Sequence, residues 1–178
     1  MPYLLALMLS IFTLTGCQSA YYSAMEQVGY HKRDIMVDRV EDAKQSQQDA
    51  QQEFTSALEA LSALTQFDGD ELETIYNQIN DKYQDSEKAA QEVSDRIAAI
   101  EDVSDALFAE WQSELDLYTS TKLKRASEQK LKETQRSYNT MLSAMKRAED
   151  KMTPVLNTLR DNTLYLKHNL NASAIGSL

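Results

Sequence analysis

Residues 72–118 read LETIYNQINDKYQDSEKAAQEVSDRIAAIEDVSDALFAEWQSELDLY, and their spacing decides the fold class. Steps of four and three pick out Leu72, Tyr76, Ile79, Tyr83, Ser86, Ala90, Val93, Ile97, Ile100, Ser104, Leu107, Trp111, Glu114 and Tyr118. Eleven of these fourteen positions are apolar or aromatic, and neither Pro nor Gly interrupts the run. A repeat held so long in one phase is a coiled-coil seam rather than the drifting stripe of a short globular helix. At 1.5 Å per residue it extends about 70 Å.

Working outward, a stripe of the same kind precedes it: Met36, Val40, Ala43, Gln47, Ala50, Phe54, Ala57, Leu61, Leu64. Small residues at alternate steps let a neighbouring helix approach closely. Ser23-Ala-Met-Glu26 has the form of a capping box, which predicts a helix start near residue 22. Asp68-Gly69-Asp70 breaks the stripe, with Asp70 and Glu73 able to cap the next helix. A third stripe runs Leu131, Thr134, Tyr138, Met141, Met145, Ala148, Met152, Val155, Leu159, Asn162, Leu166. Before it, the middle helix is ended only by Thr119-Ser120-Thr121, β-branched and hydroxyl residues that favour caps and turns over helix interiors. Pro154 falls inside the third stripe without loss of phase, so the spacing predicts a kinked helix, with Thr153-Pro154 as the alternative start of a short fourth one. The expectation is an all-α protein, an elongated antiparallel three-helix bundle or coiled coil. Its helices cover about 22–66, 71–118 and 122–170 of a single domain spanning residues 17–178.

Composition agrees. The 178 residues carry only 4 Gly and 2 Pro, little material for turns. The net charge of −10 argues against a nucleic-acid partner, which needs a basic face. The single Cys excludes an intrachain disulfide framework.

Residues 1–17 hold no charged side chain. The apolar stretch Leu4–Leu14 is too short to span a bilayer, which takes about 20 residues, and has the length of a signal-peptide core. It ends in Leu14-Thr15-Gly16-Cys17, which resembles the bacterial lipobox, although no Lys or Arg precedes the apolar run. The resemblance implies a signal peptide over 1–16 and lipidation at Cys17. Gln18 follows the Cys, where Asp would favour the inner membrane. By that analogy the anchor sits in the periplasmic face of the outer membrane, held by about 0.8 kcal/mol per buried acyl CH₂.

Tyr21-Tyr-Ser-Ala-Met-Glu-Gln-Val-Gly-Tyr-His-Lys-Arg-Asp34, Val37-Asp-Arg-Val-Glu-Asp42 and Thr163-Leu-Tyr-Leu-Lys-His-Asn-Leu-Asn-Ala172 together resemble a bacterial lipoprotein family, the domain of unknown function DUF2959. The resemblance covers nearly all the chain after Cys17. It implies a helical envelope lipoprotein whose relatives extend beyond Leu178, and it brings no catalytic residues.

Candidate chemistry is sparse. A phosphate-binding loop needs glycines before a Gly-Lys-Ser/Thr, and none of the four glycines precedes a Lys. Bundle di-metal sites use Glu-x-x-His; Val28 and Tyr165 stand three before His31 and His168. His31, Asp34 and Asp38 share one face but read as solvated. Trp111 and Met141, Met145 and Met152 fall on seams and read as core. The polar seam residues Gln47, Ser86, Ser104, Glu114, Thr134 and Asn162 read as register keys or weak spots. No catalytic residue, metal site or cofactor is expected. Two basic clusters, Lys32-Arg33 and Lys122, Lys124, Arg125 with Lys130 and Lys132, are expected at one end of the bundle beside Cys17, facing an anionic leaflet. The expected function is a non-enzymatic, lipid-anchored periplasmic scaffold or adaptor that binds other envelope proteins. The alternative is a holdase or carrier for apolar clients. Seams this long can also pair between chains, giving a homo-oligomer.

Overall fold

The structure, a computed structural model, describes residues 16–63 and 71–176. Its helices are α1 (Gly16–Gln27), α2 (Lys32–Ala63), α3 (Leu72–Glu114), α4 (Thr121–Asp150) and α5 (Met152–Gly176), with a 3-10 turn at Leu115–Leu117 after α3. No strand occurs among the described residues. The protein is an all-α helical bundle. The expected leader up to Thr15 and the turn Asp68-Gly69-Asp70 lie outside the described residues.

The three expected helices are interrupted twice. The first break comes at Val28–His31, where Gly29 has φ +89°. Gly29 N–H donates to the Glu26 carbonyl (3.0 Å) and Tyr30 N–H to the Met25 carbonyl (2.9 Å). This pair of bonds is a Schellman motif, which satisfies the last carbonyls of α1 and needs a left-handed residue that Gly supplies without strain. Ser23, expected at a helix start, lies inside α1. The second break is at Lys151, between α4 and α5. Pro154 has no N–H to give the carbonyl of Asp150, four residues back, and its ring crowds that carbonyl. The helix therefore restarts at Met152, leaving the proline in its first turn, where a missing N–H costs nothing.

The chain forms two compact units. One comprises the chain up to Arg39 with Ala99–Arg136; the other comprises Val40–Ala98 with the chain from Ser137. In the first, Tyr22, Ile35 and Val103 form a buried cluster, with Met25, Met36 and Ala106 packed on it. Arg39 donates to the Tyr22 hydroxyl (2.9 Å) and to the Ala99 carbonyl, while Lys32 reaches Glu110. As the number rises on α2 it falls on α3, so the two run antiparallel. Contacts of α1 with α2 show the same order, Glu26 with Lys32 and Tyr22 with Arg39. In the second unit Ala50, Phe54, Val93 and Ile97 form the core, joined by Leu142, Met145, Met152, Val155 and Leu156 from α4 and α5. Asp42 with Arg96 and Glu53 with Lys82 give α2 and α3 antiparallel order there too.

The α3 seam is buried as its spacing predicts through its middle: Ile79, Ser86, Val93, Ile97, Ile100 and Ser104. Each fully buried Ile or Val contributes about 1.5–3 kcal/mol. Ala43, Ala50 and Ala57 bury the small steps of α2. At its end the seam departs from the expectation. Glu114 and Tyr118 are exposed and Leu115 is buried instead, because the chain tightens into a 3-10 turn of three residues per turn. On α4 the expected seam residue Ala148 is exposed.

Candidate functional site

The residues that the sequence singles out as basic all lie in the first unit, most of them on two turns and Lys130 and Lys132 further along α4. One turn is the Gly29 reversal. Lys32, in the first turn of α2, is nearly buried and its Nζ lies 2.5 Å from Glu26 Oε1 and 3.0 Å from Glu110 Oε1. Burial alone would lower its pKa; the hydrogen bonds to Glu26 and Glu110 outweigh it and hold the ammonium above its ordinary value. Lys32 is thus an internal tie between α1, α2 and α3 rather than a surface cation. Arg33 is exposed, its Nε 3.3 Å from Asp34 Oδ1.

The other turn joins α3 to α4. After the 3-10 turn the backbone extends at Tyr118 (φ −70°, ψ 123°). Ser120 then caps α4, its Oγ accepting from Leu123 N–H at 3.4 Å and its carbonyl from Lys124 N–H at 2.9 Å. Lys124 Nζ sits 2.9 Å from Asp116 Oδ1. That hydrogen bond holds the Asp116 carboxyl below the usual range and the Lys124 ammonium above its own. Lys122 and Arg125 are exposed and make no ion pair among the described residues. Around them stand three large apolar side chains in solvent, Leu117 (78% exposed), Leu123 (57%) and Tyr118 (42%). Behind the turn Trp111 is half-buried and its Nε1–H donates to Ser127 Oγ at 2.8 Å, fixing α4 to α3. The charged residues were legible in the sequence; the exposed leucines beside them were not, because Leu117 and Leu123 fit a helical pattern equally well as core.

At Cys17 the structure describes a helical backbone in α1, and its thiol lies outside the description. The sequence places this residue beside the basic turn. The Gly29 reversal does otherwise. It folds α1 back along α2, so Tyr22 lies level with Arg39 and Ala99, and Cys17 lies five residues, about 7 Å, further still from the reversal. Ala99 is itself some 27 Å of helix from Leu117. Within this unit the two features stand at opposite ends.

The remaining candidates are dispersed. His31 and His168 are exposed, and among the described residues no three His, Cys, Asp or Glu side chains gather as metal ligands. Gln47 donates from Nε2 to the Met145 carbonyl (3.2 Å), Ser104 from Oγ to the Glu101 carbonyl (2.8 Å), and Asn162 to the Thr158 carbonyl. No described helix is long and apolar enough to cross a membrane.

These features define a helical-bundle protein whose most distinctive surface is a loop tip that pairs bare apolar groups with free cations. The model of the family described as protein of unknown function, DUF2959, matches residues 21–178, and the chain belongs to that family. No curated protein and no solved structure matches it.

Proposed function

We propose that this chain is a non-enzymatic, lipid-anchored helical protein of the bacterial envelope, a spacer or scaffold held against the periplasmic face of the outer membrane at two points. The first is the acyl group at Cys17, inferred from the lipobox-like Leu14-Thr-Gly-Cys17. The second is the turn Leu117–Arg125, and the observation that carries it is Leu117, Tyr118 and Leu123 exposed around the unpaired Lys122 and Arg125. Apolar side chains entering the interface with cations meeting lipid phosphates is the pattern of peripheral membrane contact. Lys124 is neutralised by Asp116, Lys32 by its two glutamates and Arg33 by Asp34, so the electrostatic share falls to Lys122 and Arg125. Each is worth about 1 kcal/mol near an anionic surface. With the two points at opposite ends of the first unit, that unit lies along the leaflet rather than standing on it.

The test is sedimentation of the chain beginning at Gln18 with anionic phosphatidylglycerol vesicles. Lys122→Glu with Arg125→Glu should weaken binding at least about tenfold, and Leu117→Asn with Leu123→Asn should weaken it at low and high salt alike. Unchanged binding of both variants removes the membrane role of the turn. Scaffold and carrier separate by crosslinking in the native envelope, where a scaffold keeps stoichiometric partners.

A further inference from the structure

The second unit holds a groove of about 700 Å³ between α2 and the α4–α5 junction, within the roughly 300–1,000 Å³ of small-molecule sites. It exists because the seam is incomplete there. The break at Lys151 parts α4 from α5, and Ala148, a seam position by its spacing, is exposed in the groove wall instead of packed. The floor is apolar. Phe54, Met152 and Val155, which also belong to the core assembly around Val93 and Ile97, line it, and Leu58 stands 44% exposed at its margin.

The rim has the opposite character. Lys44, Arg147 and Lys151 line the groove, all three are exposed, and none makes an ion pair among the described residues. Among the described residues no Asp or Glu is part of the lining. The unit around it has nine Lys and Arg against seventeen Asp and Glu. Of the unit's other cations, Lys82, Arg96 and Arg160 sit beside carboxylates, those of Glu53, Asp42 and Asp161. A carboxylate-free groove with three unpaired cations, in so acidic a setting, selects an anionic head; its floor selects a hydrocarbon tail. We infer that this groove binds one single-chain anionic lipid, its head held by Lys44, Arg147 and Lys151 and its acyl chain laid over Phe54, Met152 and Val155. A protein partner is disfavoured by extent. Thirteen described residues line the groove, against about 20–30 on each side of a stable protein interface. The inference stands independently of the membrane turn, which belongs to the other unit.

The probe is cis-parinarate, a fluorescent long-chain fatty acid, titrated into the full chain. The expected result is saturable binding of one molecule per chain, with the uncharged methyl ester at least about tenfold weaker. Raising salt from about 0.05 to 0.5 M should weaken the acid and spare the ester. The triple variant Lys44→Glu, Arg147→Glu, Lys151→Glu changes only exposed positions, so its helical circular dichroism should persist while affinity for the acid falls at least about tenfold. In the unmodified chain Leu58→Gln should weaken acid and ester together. Absence of saturation, equal affinity for acid and ester, or a folded triple variant that binds normally each overturns the inference. So does an acidic amphipathic peptide that binds one to one where the fatty acid does not, which would make the occupant a protein helix.

Discussion

Between Ile79 and Val93 the α3 seam carries Ser86, fully buried, whose Oγ meets no hydrogen-bond partner. Ser104, equally buried on the same helix, differs in one respect: its hydroxyl donates to the Glu101 carbonyl. An unsatisfied buried hydroxyl costs about 1–3 kcal/mol, whereas a bond back to the preceding turn leaves little to gain by its removal. Ser86→Ala should therefore raise the stability of the fold by about 1 kcal/mol, and Ser104→Ala should leave it unchanged or slightly lower. Urea unfolding of the two variants measures the contrast. A loss of more than about 1 kcal/mol for Ser86→Ala would mean that the hydroxyl is satisfied after all. A polar residue kept at such a position despite its cost is the usual mark of a register key, since sliding the seam by one heptad would set it against a different neighbour.

At the level of elements, Gly29 decides whether α1 folds back. Alanine there must adopt a φ of +89° that costs an L-residue about 1–2 kcal/mol, although the space beside it is open. Gly29→Ala should loosen α1 selectively. Amide exchange over residues 20–27 should quicken by roughly 5–30-fold, with exchange in the middle of α3 unaltered. Equal effects on both helices would show that α1 does not open on its own. What the spacing made legible and what it hid follow from the same cause. Four-three alternation reports which face of a helix is apolar, and it found Ile79, Val93, Ile97 and Ile100 because those positions face neighbours along continuous helix. It is blind to a break that keeps the phase. Pro154 interrupts the helix in this way, whereas the Gly29 break falls before the stripe that begins at Met36, and Ser23-Ala-Met-Glu26 reads as a cap although it lies mid-helix. The seam is also wider than two positions per heptad where an extra element docks: Val103 is buried because α1 brings Tyr22 against it. Ala148 errs in the other direction, a core-type residue left bare beside the groove. The cations of that groove come from positions as far apart as Lys44 and Lys151, and no single stretch of sequence brings them together.

Across the whole molecule, charge is unevenly shared. The first unit has nine Lys and Arg against eleven Asp and Glu, a net −2, and the second a net −8. An anionic leaflet repels the second unit and tolerates the first, whose turn at Leu117–Arg125 adds a local attraction. Anchoring at Cys17 alone would leave that turn in water, because α1 runs away from it. Anchoring at both points requires the first unit to lie on the surface. Hydrogen exchange on the acylated chain, reconstituted in vesicles with anionic lipid, distinguishes these arrangements. Lying flat, the chain should show slower exchange at Leu117–Arg125 than the same protein in vesicles of phosphatidylcholine alone, and the protection should fade as salt shortens the Debye length to about 3 Å near 1 M. The segment Gln51–Glu59 of α2, in the acidic unit, should exchange alike on both vesicles. Slowing at Gln51–Glu59 without slowing at Leu117–Arg125 would place the acidic unit at the membrane and would exclude the two-point attachment.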